Sequence, residues 1–123
     1  MARGGFGPVF DDVDPSDWRA VAQLSERRTG EVLAALFHPR AGPIDVVWGL
    51  AGSSLSDGYG LAKIVRFHPE VVDDLPAIIR NLKPALRKGN RLQLESADHT
   101  AAVSLDWHGR PKTWLLTAFA KRV

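Results

Sequence analysis

RLQLESADHTAAVSLDWHGRPKTWLLTAF, Arg91 to Phe119, is the stretch whose pattern decides the fold. It reads as three short strands. Leu92 and Leu94 alternate with Arg91, Gln93 and Glu95. Val103, Leu105 and Trp107 alternate with Ser104 and Asp106. Trp114, Leu116 and Ala118 alternate with Thr113, Leu115, Thr117 and Phe119. Side chains on a strand point to opposite faces with a period of two. If the strands pair in sequence, Arg91, Gln93, Glu95, Ser104, Asp106, Thr113 and Thr117 share one polar face. The leucines, Val103, Trp107 and Trp114 then share the apolar face. Ser96–His99 and His108–Pro111 are short enough to join antiparallel neighbours.

Upstream, residues 1–15 hold Gly4, Gly5, Gly7, Pro8 and Pro15 and read as a flexible N-terminal arm, suited to a junction with a larger protein. Residues 16–123 read as a single domain. SDWRAVAQLSERR predicts a helix over 16–28, with Ser16 or Asp17 as N-cap and Gly30 as its stop. Glu31–Phe37 and Ile44–Leu50, separated by HPRAGP, predict a strand hairpin. Ala51–Gly60 is a Gly/Ser-rich loop without the spacing of a phosphate-binding or dinucleotide motif. Leu61–Phe67 predicts a short helix. Pro69 starts another that runs to Asn81, kinked or split at Pro76. Lys83–Lys88 is a strand or a loop. The expected fold class is α+β, with N-terminal helices packed on one face of an antiparallel β-sheet that ends in the three-stranded meander.

The 123 residues suffice for one hydrophobic core. There is no cysteine, which excludes disulfides, thiolate nucleophiles and Cys-ligated zinc. No apolar run approaches the ~20 residues of a membrane span, and MARGGFGPVF lacks a secretory signal's apolar segment. A cytoplasmic protein is the expectation. Residues 1–60 carry 5 Lys/Arg against 8 Asp/Glu, whereas residues 61–123 carry 11 against 6. Arg80, Lys83, Arg87, Lys88 and Arg91 follow one another with no acid between. Such a region attracts a polyanion, or is simply a solvated face.

GYGLAKIVRFHPEVVDDL (58–75), NRLQLES (90–96), AAVSLDW (101–107) and KTWLLTAF (112–119) together resemble the phage-associated nuclease domains of the barnase/EndoU/colicin/RelE-like (BECR) group. The resemblance covers about residues 30–121. It implies a barnase-like α+β fold and metal-independent RNA cleavage, often as a toxin. It implies RNA, tRNA included, as substrate, no cofactor, and an immunity or antitoxin protein as a further partner. The family commonly has His where this chain has Lys63. That departure keeps open an alternative, a catalytically inactive RNA- or protein-binding module of a phage protein.

Metal-free RNA cleavage needs a base for the ribose 2′-hydroxyl, an acid for the leaving 5′-oxygen, and cations or donors for the phosphorane. The product is a 2′,3′-cyclic phosphate. The candidate catalytic residues are Lys63, His68, Arg91 and Thr117. Lys63 suits a phosphate as a point charge, or is an ordinary helix lysine. His68 suits proton exchange near neutrality, or caps a helix. On a regular helix it lies roughly 140° from Lys63, so the two converge only if the helix ends between them. Arg91 can bind phosphate bidentately, or pair with Glu95. Thr117 interrupts an apolar run and could donate to a phosphate oxygen, although threonine is also a good strand former. Glu95, Ser104 and Thr113 are candidate substrate contacts, with Glu95 and Asp106 as alternative carboxylate bases. Tyr59 and Phe119 could stack on a base. His38, His99 and His108, with Asp98 and Asp106, match no metal-site spacing, and no metal is expected. One geometric condition stands out: Lys63, on a helix against the apolar face, reaches the polar face only past an edge of the sheet.

Overall fold

The computed structural model describes residues 3–4, 6–10, 18–53 and 57–121. The expected N-cap, Ser16 or Asp17, lies outside them, as do residues 54–56 of the Gly/Ser-rich loop. A two-stranded hairpin, β1 (Arg3–Gly4) and β2 (Gly7–Pro8), comes first, and Val9 bridges in parallel to Glu31. Helix α1 (Trp18–Arg27) buries Ala20, Val21 and Leu24 and ends before Gly30, whose φ of +78° suits glycine. Then come β3 (Glu31–His38), β4 (Gly42–Val47), α2 (Gly60–Phe67), a 3-10 turn (Pro69–Val71) and α3 (Leu75–Asn81). Pro69 and Pro76 each sit in the first turn of their own element, so the apolar run is split rather than kinked. Strands β5 (Lys83–Lys88), β6 (Arg91–Glu95), β7 (His99–Trp107) and β8 (Arg110–Ala120) complete the chain.

The main sheet has the order β3-β4-β8-β7-β6-β5 and is not closed. This corrects the expected fold class. The described residues are 48% strand and 26% helix. One helix precedes the main sheet, and the other two lie between β4 and β5. The sheet is mixed, because the β3–β4 hairpin joins the meander through a parallel pairing of β4 with β8 at Asp45↔Trp114. An α+β domain with N-terminal helices on an antiparallel, barnase-like sheet is therefore not what the chain builds. The physical reason is in the side chains at the junction. Lys112 Nζ on β8 lies 2.6 Å from Glu31 Oε1 and 2.7 Å from Asp45 Oδ2. Asp45 Oδ1 accepts the Ala34 N–H at 2.8 Å, at a β3 bulge where Ala34 has φ +54°. Glu31 is 1% exposed, and a buried carboxylate requires such a partner. Burial by itself would lower the Lys112 pKa. Hydrogen bonds to Asp45 and Glu31 and the charges of both outweigh it and raise the pKa above 10.5.

Cross-strand rows define the two faces. Leu94–Ala101–Ala118 and Leu92–Val103–Leu115 face the helices, where Leu24, Ile44, Leu61, Ile64, Leu75 and Ile79 complete the core. The other face carries Arg91–Ser104–Trp114, Gln93–Ala102–Thr117 and Glu95–Thr100–Phe119. Alternation fails on β8. Ala102 opposes Thr117 while Val103 opposes Leu115, so Leu116 is an extra residue; a second falls between Trp114 and Pro111. Each inserted residue reverses the side-chain phase beyond it. Trp114 and Leu116, expected among the apolar-face residues, therefore line a cleft on the polar face, and Trp107, at the end of β7, lines it too. Thr113, expected on that face, is displaced from it.

Candidate functional site

The polar face holds a cleft of about 700 Å³. Its floor is Ala102, Ser104, Leu116 and Thr117. One wall is Gly58, Tyr59 and Lys63. Another is the β5–β6 turn, with Lys88, Asn90 and Arg91. Asp106, Trp107, His108 and Trp114 close one end.

Local structure explains how Lys63 arrives there. The loop after β4 is closed at its base by Leu50 and Tyr59, which exchange backbone hydrogen bonds of 3.0 and 2.8 Å. Gly60 then starts α2 with φ +78°. A Cβ there would lie 2.8 Å from the Trp48 carbonyl oxygen and 2.9 Å from Val47 Cγ2. Only glycine permits so close an approach, and it seats the first turn of α2 against the end of β4. Since β4 pairs with β8 at Asp45↔Trp114 alone, the rest of β8 is flanked by α2 and the 3-10 turn. Helix α2 thus occupies the edge position. Leu61 and Ile64 enter the core while Lys63, 9% exposed, lines the cleft. Among the described residues no carboxylate pairs with Lys63, Lys88 or Arg91. Lys63 is buried with no ion-paired carboxylate, a costly state that an incoming anion relieves, while Lys88 and Arg91 are exposed and add positive charge at the rim.

Thr117 adds a second unmet demand. Its Oγ1 is buried and has no hydrogen-bond partner. Such a group forfeits about 1–3 kcal/mol, and the residue that carries it lines the cleft. Ser104 differs. Its hydroxyl donates to the Asp106 carbonyl at 2.9 Å, which also accepts the Trp114 indole N–H at 2.9 Å. Ser104 lines the cleft but serves to fix the Trp114 ring. The Asp106 carboxylate accepts the Gly109 N–H at 3.3 Å. His108 and Gly109, with φ +50° and +78°, form the two-residue hairpin turn that sets Trp107 beside the cleft.

Of the residues expected at the site, Tyr59, Lys63, Arg91, Ser104 and Thr117 come together in the cleft. His68, Glu95, Thr113 and Phe119 do not line it. The ring of His68 lies 5.1 Å from that of Phe119, farther along the edge of β8. Burial lowers the His68 pKa below 6.5; Glu70 opposes the shift, and Lys63 adds to it. Glu95 accepts a hydrogen bond from Gln93 at 3.0 Å and lies 3.8 Å from Lys121. His38 is buried: its Nε2 is 2.6 Å from the Leu82 carbonyl, and its Nδ1 accepts the N–H groups of Arg40 and Ala41. It ties the β3–β4 turn to the end of α3. Among the described residues no three His, Asp or Glu side chains are grouped to hold a metal ion, and no helix is long and apolar enough to cross a membrane. The sequence reading missed Lys88, Asn90, Trp107, His108 and Trp114 as cleft residues. The turn before the meander, KGNR, and the turn between its last two strands, WHGR, were the available signal, because both lie at the same end of the sheet. In comparisons with protein-family models, curated proteins and solved structures, the chain matches none.

Proposed function

We propose that the protein is a metal-independent endoribonuclease whose cleft holds one RNA phosphodiester. The observation that carries this is the pairing of two features in one cleft: buried Lys63 with no ion-paired carboxylate, and the partnerless hydroxyl of Thr117. Lys63 and Arg91 would hold the non-bridging phosphate oxygens, with Lys88 extending the cationic wall. Thr117 would donate to the oxygen on which charge grows at the phosphorane. Asp106 lines the cleft and Glu95 does not, so the carboxylate role passes to Asp106: it takes the 2′-hydroxyl proton as O2′ attacks phosphorus. His108, beside it in the cleft, protonates the departing 5′-oxygen. The products are a 2′,3′-cyclic phosphate and a free 5′-hydroxyl. The exposed basic strand β5, beside β6, would give the rest of the RNA strand a path.

The test is incubation of the protein with tRNA and with single-stranded RNA in EDTA, scoring cyclic-phosphate ends. Cleavage should fall at least about tenfold in Lys63→Ala, a loss of about 1.4 kcal/mol of transition-state stabilisation. No cleavage of any substrate would sink the proposal. One observation favours a second reading, RNA binding without turnover: His68, the expected acid, is directed at Phe119 and not at the cleft. Salt-sensitive binding with intact RNA recovered would select it.

A further inference from the structure

The closed end of the cleft is an aromatic box, and it is occupied. Trp114 stands at 81° to Tyr59 and 89° to Trp107, with centroids 5.8 and 5.7 Å apart. Tyr59 and Trp107 thus each meet Trp114 edge to face, and neither stacks flat on it. Phe6, at the tip of the β1–β2 hairpin, lies in a slot among the three rings. Its centroid is 4.3 Å from Trp107, 4.9 Å from Trp114 and 6.1 Å from Tyr59. The slot therefore accepts a flat six-membered ring.

We propose that this box is a nucleobase subsite and that Phe6 is its resident stand-in, displaced when an unpaired base of the substrate enters. The inference rests on the phosphate-binding reading of the neighbouring cleft and names its substrate class, single-stranded RNA. The charge around the box selects the ligand. An aromatic box can also take a quaternary ammonium, but in the same cleft Lys63, Lys88 and Arg91 outnumber the carboxylate of Asp106 and repel a cation. They attract the phosphate that a nucleotide carries on its sugar. A base in a duplex cannot reach such a slot without leaving its stack, whereas a single strand offers one directly. Ring contacts, and only a short strand ladder, hold Phe6 in place. Its hairpin has two register pairs, Arg3↔Pro8 and Gly4↔Gly7, and two-stranded ribbons of this kind are marginal alone. The arm's firmer attachment lies after Phe6, at Val9 and at Phe10, whose N–H donates to the Glu31 carbonyl at 2.9 Å. The Phe6 ring would leave the slot while that anchor stays.

The experiment compares wild type, Phe6→Ala, Phe6→Leu and Trp107→Leu, each checked for folding by circular dichroism. The probes are a single-stranded RNA pentamer with 2′-O-methyl riboses, which cannot be cleaved, the same sequence as a duplex, and inorganic phosphate. Phe6→Ala should bind the single strand about tenfold more tightly, because the base no longer competes with a tethered ring. Phe6→Leu should fall between. Trp107→Leu should weaken the single strand by a similar factor. Phosphate affinity should be equal in all four proteins, and the duplex should gain nothing from Phe6→Ala. Equal or weaker single-strand binding by Phe6→Ala overturns the inference. If that binding is still lost on Lys63→Ala, the RNA reading of the cleft survives. If no protein binds either RNA or phosphate, both fall.

Discussion

Replacing Thr117 with valine separates a structural role from a functional one, because the two predict opposite changes. Valine has nearly the shape of threonine and suits a strand at least as well. It removes a buried hydroxyl that has no partner. An unmade buried hydrogen bond costs about 1–3 kcal/mol, so Thr117→Val should stabilise the fold by about 1–2 kcal/mol. For a domain of this size that raises Tm by about 3–8 °C. The same change removes the donor proposed to meet a charged phosphate oxygen, a bond worth about 1.5–3 kcal/mol. RNA affinity should then fall about 10- to 100-fold. Thr117→Ser keeps the hydroxyl and should keep most of the affinity. Thermal melting followed by circular dichroism gives the first number, and titration with uncleavable RNA gives the second. A valine variant that melts lower than wild type would mean that the hydroxyl is bonded in the folded protein. One that melts higher yet binds RNA unchanged would remove Thr117 from the site.

Lys112→Met should cost about 3–5 kcal/mol in urea unfolding, since it leaves the buried Glu31 carboxylate uncompensated; a loss under about 0.5 kcal/mol would contradict the account of the sheet junction. The Lys112 pKa is raised, so the stabilisation is fully present below pH 10.5 and disappears as pH rises through the folded-state value. His68, with its pKa lowered, binds its proton less readily folded than unfolded, so its contribution to stability declines as pH falls from 6.5 through the folded value. NMR titration should show that pKa moving up in Lys63→Ala and down in Glu70→Gln; no movement in either would remove both charges from its surroundings. Gly60→Ala should destabilise by more than about 1 kcal/mol and weaken RNA binding with it, as measured by urea unfolding and RNA titration, because the same contact seats the helix that carries Lys63.

The meander was legible because its strands alternate and their turns are marked by glycine. All three formed near the expected bounds, as did α2 and the β3–β4 hairpin. What alternation could not give was the phase of β8. WLLT contains no glycine, proline or other break, yet Leu116 is inserted there, so Trp114 and Thr117 fall on one face although three residues apart. Bulges of this kind answer to the partner strand, and a single sequence does not display its partner. The parallel pairing at Asp45↔Trp114 was hidden for a related reason. It depends on the ion cluster formed by Glu31, Asp45 and Lys112, far apart in the chain and individually ordinary. That pairing also resolves how Lys63 reaches the polar face: β4 leaves β8 early, and α2 takes the vacated edge. His68 shares the same segment, but the helix ends before it and its ring turns to Phe119.

The most direct test of the central claim, that RNA binds the open face of the sheet at this cleft, is an NMR titration of isotope-labelled protein with an uncleavable single-stranded RNA pentamer in EDTA. The account predicts that the shifted amides cluster at Tyr59, Lys63, Arg91, Ser104, Trp107 and Thr117, and that the shifts shrink as salt rises. Shifts confined to the opposite edge, around the exposed Leu33 and Phe37 of β3, or no shifts at low salt, would contradict it.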